Sequence, residues 1–229
     1  MRMNVPTYRR RLSWLVFITV LVSGVFVAFP ALDIAVSGLF FDGGFWLQDI
    51  PFLQNLRMIL MAGMYVFALF VLGVFGLRFV RGQSLRAWGF ALASILVGPL
   101  LLVNGVLKSF WGRARPADIT IFGGDKMFTP AWVYTDQCDT NCSFTSGEGG
   151  AITTTALFIA FLAWPMLGRG GRRALGWAMG VLVMLTAGLR VAMGRHFLSD
   201  TLLSILLCTL VAALLYRLFF PLKSAGSVK

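Results

Sequence analysis

An all-α fold of six transmembrane helices is what this sequence predicts, and three observations carry the expectation. Hydrophobic residues fill 58% of the 229 positions and charged residues only 13%. Mean hydropathy is +0.82, too apolar for a soluble domain of this length and the reverse of what disorder requires. Six runs, 12–29, 58–77, 87–107, 149–167, 174–189 and 201–216, contain no Asp, Glu, Lys, Arg or His. A helix needs about 20 such residues to cross a ~30 Å hydrocarbon core.

The run at 12–29 follows Arg9, Arg10 and Arg11 and has the polarity of a signal peptide. It is longer than the ~7–15 residue core of such peptides, and Ala28-Phe29-Pro30-Ala31 is a poor cleavage site, so a retained helix is expected. Segment 30–57 mixes Phe40, Phe41, Phe45 and Trp46 with Asp33, Asp42 and Asp49. It suits either an interfacial segment on the bilayer surface or a cap over a site. Runs 174–189 and 201–216 are short, so their helices should extend into flanking residues. Pro99 and Pro165 are expected to kink their helices, and Gly73, Gly76, Gly98 and Gly180 to allow close helix contact. Trp14, Trp88, Trp111, Trp164 and Trp177 lie near span ends, as an aromatic belt requires. With no internal repeat or low-complexity segment, residues 1–229 read as one polytopic domain whose large loops are 30–57 and 108–148.

Basic residues set the orientation. Arg2, Arg9, Arg10, Arg11, Arg78, Arg81, Arg86, Arg169, Arg172, Arg173, Arg217, Lys223 and Lys229 share one side with both termini. That side therefore has thirteen of the twenty Lys and Arg and none of the nine acids. The positive-inside rule makes it cytoplasmic. The net charge of +11 thus punctuates apolar spans rather than forming a patch for nucleic acid. Cys138 and Cys142 fall in an outer loop, where an oxidising compartment would close them into a disulfide. Two thiols without further loop ligands make a poor zinc site. Cys208, inside the sixth span, reads as a small core hydrophobe.

Ionisable residues near membrane depth are the informative ones in such a chain. Lys108 ends the third span, and Arg115-Pro116 follows. Residues 142–150, Cys-Ser-Phe-Thr-Ser-Gly-Glu-Gly-Gly, open the fourth, and Arg190 through Asp200 join the fifth to the sixth. Singly, Lys108 and Arg190 could be snorkelling anchors, Ser146 and Glu148 a helix cap, and His196 with Asp200 a structural i,i+4 pair. Together, on the side that the charge bias disfavours, they describe a phosphate site with a nucleophile. Three cations match phosphate oxygens, and Ser146-Gly147 offers a helix amino end. His196, the chain's one imidazole, is a neutral nitrogen nucleophile near pH 7. Asp200, one turn on, would accept its other ring N–H.

Lys108-x6-Arg115-Pro116, Ser146-Gly147 and Arg190-x5-His196-x3-Asp200 resemble the three-part signature of the type 2 phosphatidic acid phosphatases, the membrane branch of a superfamily shared with vanadium haloperoxidases. The resemblance implies that His196 forms a phosphohistidine, that Asp200 orients it, and that Lys108, Arg115, Ser146, Gly147 and Arg190 hold the phosphate without a metal ion or other cofactor. The chain departs from the pattern twice. Leu189 replaces the usual serine before Arg190, and Glu148 replaces the histidine that protonates the leaving oxygen. Glu148 is then a raised-pKa acid, a base for water, or a substrate contact. If the leaving group needs little protonation, a diphosphate or an anomeric sugar phosphate suits best. The Ser-Gly-Glu form after Cys142 and Phe144 resembles bacterial homologues associated with lipid A phosphatases.

The implied activity is hydrolysis of a lipid phosphate entering from the bilayer at the periplasmic face of a bacterial inner membrane. Undecaprenyl diphosphate, lipid A, phosphatidylglycerol phosphate and phosphatidic acid are the candidate substrates. A phosphotransferase using the same intermediate and a non-catalytic lipid-phosphate carrier are the competing readings. Nothing in the sequence speaks to oligomeric state.

Overall fold

A computed structural model describes residues 3–222; Arg2, Lys223 and Lys229, used above to orient the chain, lie outside the described residues. Six helices are long and apolar enough to cross a membrane: α1 (Val5–Ala28), α3 (Pro51–Val80), α4 (Arg86–Phe110), α5 (Gly147–Ala163, continued to Met166 by a 3-10 turn), α6 (Arg169–Ala192) and α7 (Leu198–Phe219). A short helix, α2 (Ala31–Gly38), lies between the first two spans. No strand occurs among the described residues. The protein is a multi-pass, all-helical bundle.

Every span outruns its uncharged run, because charged residues continue the helices into the polar zones. The clearest case is α3. It begins at Pro51, whose ring suits the first helical turn, and so carries Arg57 on a helix rather than in the 30–57 loop. In α4, residues Leu96–Leu107 form wide π-turns around Pro99, which lacks an N–H for the ladder. The Asn104 amide donates to the Pro99 carbonyl (2.6 Å). Pro165 instead lies in the 3-10 turn that ends the α5 span.

The centre of the bundle is α5, packed on α4, α6 and α7, while α7 also meets α1. Close approach is permitted by Gly150, where a Cβ would stand 2.8 Å from Cys208 Sγ and 2.9 Å from Ser204 Oγ. Of the four glycines expected at helix contacts, only Gly98 meets a neighbour, Cys208 Sγ at 3.5 Å. Gly73, Gly76 and Gly180 face open space, so bilayer-facing helix surface, not packing, explains them. At one end of the bundle Tyr8, Phe90, Phe158 and Tyr216 form an aromatic core.

The other end is built on charge. Arg113, Asp33, Ser199 and Asp200 are each fully buried. Arg113 donates through Nη2 to Asp33 (2.8 Å), through Nη1 to Asp200 (2.5 Å) and Ser199 Oγ (2.9 Å), and through Nε to the Thr129 carbonyl (2.8 Å). The Ser199 hydroxyl and N–H both donate to Asp33 (2.5 and 2.9 Å). The guanidinium also lies over the Phe197 ring, 4.2 Å from its centroid. Segment 30–57 is therefore partly sunk into the protein: Asp33, Ser37 and Phe45 are buried while Leu39 and Trp46 are exposed.

Removing one partner of a buried ion pair leaves an uncompensated charge, which costs about 3–5 kcal/mol. Arg113→Met should therefore sharply lower the thermal midpoint of the detergent-solubilised protein. Arg113→Lys should fail to restore it, because an ammonium lacks the planar fork that reaches two carboxylates. A midpoint within a degree or two of wild type for either variant would show that this cluster does not organise the fold.

Candidate active site

His196 lies on a turn, not a helix. After α6, Gly194 takes a φ of +65°, and a Cβ there would meet the Phe45 ring at 2.4 Å; conformation and space both demand glycine. The N–H groups of Arg195 and His196 return to the Arg190 carbonyl (3.0 and 3.3 Å), and α7 starts only at Leu198. The expected helical pairing of His196 with Asp200 is thus corrected: Asp200 Oδ2 stands 3.9 Å from Nδ1. The Ser143 carbonyl, 2.8 Å away, takes the ring nitrogen instead. A carbonyl only accepts, so Nδ1 carries the proton in this contact and the Nε2 lone pair is left free. Asp200 acts at one remove, accepting from the Ser143 hydroxyl (2.5 Å) and the Phe197 N–H (2.9 Å).

The imidazole is 2% exposed. Burial first, then the charges of Arg190 and Lys108, hold its pKa well below the ordinary 6.5, so the ring is neutral at physiological pH. Arg115 adds a weaker push in the same direction. The three sequence-predicted cations therefore all act electrostatically on one imidazole. Arg115 is anchored by donation to the Asn141 carbonyl (2.5 Å). The Nε of Arg190 is buried without a hydrogen-bond partner.

Ser146 caps α5, its hydroxyl accepting from the Gly149 N–H (3.2 Å). Its own N–H donates to the Asp200 carbonyl (3.3 Å), which ties the cap to the α7 start. The first-turn N–H groups of Gly147 and Glu148 have no intrahelical acceptor and sit at the positive end of the helix dipole. The Glu148 carboxylate accepts from Arg57 at both oxygens (Nη2 2.7 Å and Nε 3.1 Å to Oε1, Nε 3.3 Å to Oε2). Arg190 Nε lies 3.4 Å from the same Oε1. A cavity of about 480 Å³ opens beside these groups, with Lys108, Asn141 and Glu148 at its polar end and Met61, Tyr65 and Leu100 along its apolar wall. Cys138 and Cys142 are bonded with Cα atoms 5.6 Å apart. Their loop carries Asn141 and continues into Ser143.

Sequence reasoning missed Arg57, Arg113, Asp33 and Ser143. The signal for the two arginines was present: a basic residue on the disfavoured side needs a reason, and the test was applied only to Lys108, Arg115 and Arg190. Ser143 acts through a backbone carbonyl, which no side-chain pattern reveals.

Residues 85–224 match the PAP2 superfamily model. A lipid A 4'-phosphatase of Rhizobium leguminosarum is 36% identical over 85% of this chain and 90% of that one. A lipid A 4'-phosphatase of Francisella tularensis subsp. novicida (strain U112) is 31% identical over 84% and 90%. The solved PAP2-type phosphatidylglycerolphosphate phosphatase of Bacillus subtilis shares the fold, with a TM-score of 0.57 at 21% identity, over 90% of this chain and 94% of that one.

The single histidine makes its titration directly observable. In protein labelled with ¹⁵N at histidine and free of any histidine tag, the one ring signal should titrate with a midpoint below 6.5. Arg190→Gln should move that midpoint upward, since it deletes a charge that disfavours the imidazolium. A wild-type midpoint at or above 6.5 would contradict the buried, cation-flanked setting.

Proposed function

Because the chain belongs to the PAP2 superfamily, we propose that it removes phosphate from an acylated sugar phosphate of the lipid A class, through a phosphohistidine on His196, at the periplasmic face of a bacterial inner membrane. That it is a membrane lipid phosphatase follows from the family and the lipid A 4'-phosphatase relatives; the substrate, the intermediate and the side are our reading. The observation that carries it is the cavity whose polar end holds Lys108 and Glu148 while its wall is Met61, Met64 and Leu100. An amphiphile laid there puts its phosphate beside Lys108 and the amino end of α5 at Gly147, and its acyl chains against the apolar wall. The activity of the lipid A 4'-phosphatase relatives supports lipid A among the candidate lipids.

In the proposed reaction Nε2 of His196 attacks phosphorus and the ester P–O bond breaks. The departing oxygen takes a proton from water, and the hydroxide left behind is neutralised by the proton released in the next step. A second water then hydrolyses the P–N bond, releasing inorganic phosphate and restoring the neutral ring. Lys108, Arg115, Arg190 and the amino end of α5 hold the phosphoryl oxygens, where charge accumulates in the transition state. The Nε of Arg190 lies 3.4 Å from Glu148 Oε1 but makes no hydrogen bond among the described residues, which leaves it able to donate to such an oxygen. Cys138–Cys142 braces the loop that presents Asn141 and Ser143. Glu148, gripped by Arg57, serves as a counter-ion that orients Arg57 and Arg190, not as the proton donor.

Phosphate release should be measured with detergent-purified protein on lipid A, undecaprenyl diphosphate, phosphatidylglycerol phosphate and phosphatidic acid. We expect lipid A to give the highest kcat/KM. His196→Ala should lose at least roughly 10³-fold, as expected for loss of the nucleophile. Glu148→Gln should lose less than about tenfold, in line with a partly exposed ion pair. An alkali-stable, acid-labile phosphoryl adduct should be trapped during turnover by wild type and be absent from His196→Ala. Equal release by wild type and His196→Ala would refute the enzyme reading of this site, and a new phosphoester in place of free phosphate would make the protein a transferase.

A further inference from the structure

On the far side of the Arg57–Glu148 pair from the apolar cavity lies a second one, of about 380 Å³, with a different lining. Gln48 and Asp49 come from the 3-10 turn before α3, Gln54 and Arg57 from the first turns of α3, and Arg190 and Arg195 from the end of α6 and the nucleophile turn. The apolar contributions are only Met58 and Met193. Two of its arginines, Arg57 and Arg190, also face Glu148, so this pocket adjoins the phosphoryl centre directly. The two cavities are separated by a single ion pair, with Glu148 lining one and Arg57 lining the other.

The lining suits an anion surrounded by hydroxyl groups. Three guanidiniums face it, and only Glu148 and Asp49 answer them. Arg195 makes no side-chain hydrogen bond or ion pair among the described residues. Its backbone is held by the turn at Gly194 and by the bond from its N–H to the Arg190 carbonyl, and it lines the pocket. The Gln54 amide donates to the Gln48 carbonyl (2.5 Å), which leaves its Oε1 as an acceptor and the Gln48 amide as donor and acceptor for hydroxyls. A simple lipid phosphate ends at its phosphate and has nothing to place beyond the cations. A headgroup that continues past the scissile phosphate does.

We infer that this pocket is a headgroup subsite that binds a second anionic group on a sugar, with Arg195 and Gln54 as specificity-determining residues. The inference rests on the proposed glycolipid substrate and assigns the part of that substrate not held by the phosphoryl centre. It makes the enzyme selective for doubly phosphorylated acyl-sugars over lipids whose phosphate is terminal.

The test uses full-length protein in detergent and three substrates: an acyl-disaccharide carrying a phosphate on each sugar, its analogue with only the scissile phosphate, and phosphatidic acid. For wild type, kcat/KM on the first should exceed that on the second by about tenfold, the equivalent of 1.4 kcal/mol. Arg195→Gln should bring that ratio to near one through KM, and Gln54→Ala should lower both disaccharide substrates relative to phosphatidic acid. If wild type cleaves both disaccharides and the variants leave the ratio unchanged, the subsite is disproved while the proposed function stands. If Arg195→Gln instead lowers kcat equally on all three and weakens inhibition by inorganic phosphate, the pocket is a product exit, which also overturns the inference. If wild type cleaves only phosphatidic acid, the proposed function and this inference fall together.

Discussion

One buried guanidinium holds the His196 end of this bundle together. Arg113 reaches Asp33 on α2, Asp200 on α7 and the Thr129 carbonyl in the long loop, three segments that are remote in sequence and that also meet in an aromatic cluster of Phe45, Phe122, Phe128 and Phe197. Burying charges is costly, and the cost is recovered only when geometry and hydrogen bonding are nearly complete. Here they are, because Ser199, Ser143 and the Phe197 N–H fill the remaining carboxylate lone pairs. The arrangement is therefore intolerant of displacement. If Asp33 moves, Arg113 and Ser199 lose a partner. If Asp200 moves, Ser143 loses the bond that fixes its hydroxyl, and the carbonyl of that same residue holds the imidazole.

The cluster also gives the histidine an electrostatic gradient. Two carboxylates and one guanidinium, a net negative set, join at Asp200, 3.9 Å from Nδ1, while the charges of Arg190, Lys108 and Arg115 also act on the ring. A neutral imidazole bears both at no great electrostatic cost. In the proposed reaction the ring becomes positive as phosphorus bonds to Nε2, while the incoming phosphate offsets the cations that had opposed that charge. Asp200, 3.9 Å from Nδ1, then faces a cation at a separation worth on the order of 4 kcal/mol at a near-surface effective dielectric. The same neighbours that keep the ring neutral before attack thus favour the charged ring after it.

Much of this was legible in the residues, and the rest was hidden for identifiable reasons. The spans were visible because a bilayer imposes a simple length rule, and Lys108, Arg115 and Arg190 because they oppose the charge bias of their side. Arg57 was concealed by a helix start, since α3 takes in seven residues that look like loop. Asp33 looked like one acid among several in an interfacial segment, and only its depth sets it apart. The His196–Asp200 contact was misread because i,i+4 spacing implies contact only on a helix, and α7 begins two residues after the histidine. Backbone partners such as the Ser143 carbonyl leave no trace in residue identity.

The exchange of histidine for glutamate in the second motif becomes intelligible once Arg57 is counted. A bare carboxylate beside a phosphate site would repel the substrate, and at the amino end of α5 the helix dipole would only strengthen its hold there. Arg57 cancels that charge from α3 through both carboxylate oxygens. Lys108, Arg115 and Arg190 then supply the same net charge of three that they would beside a neutral histidine. The pair therefore preserves the attraction for a phosphate dianion and removes only the proton donor. It also adds a rigid partition whose arginine looks into a second, polar chamber. On the proposed reading, a site altered in this way gives up one catalytic device and gains a surface for reading what lies beyond the phosphate.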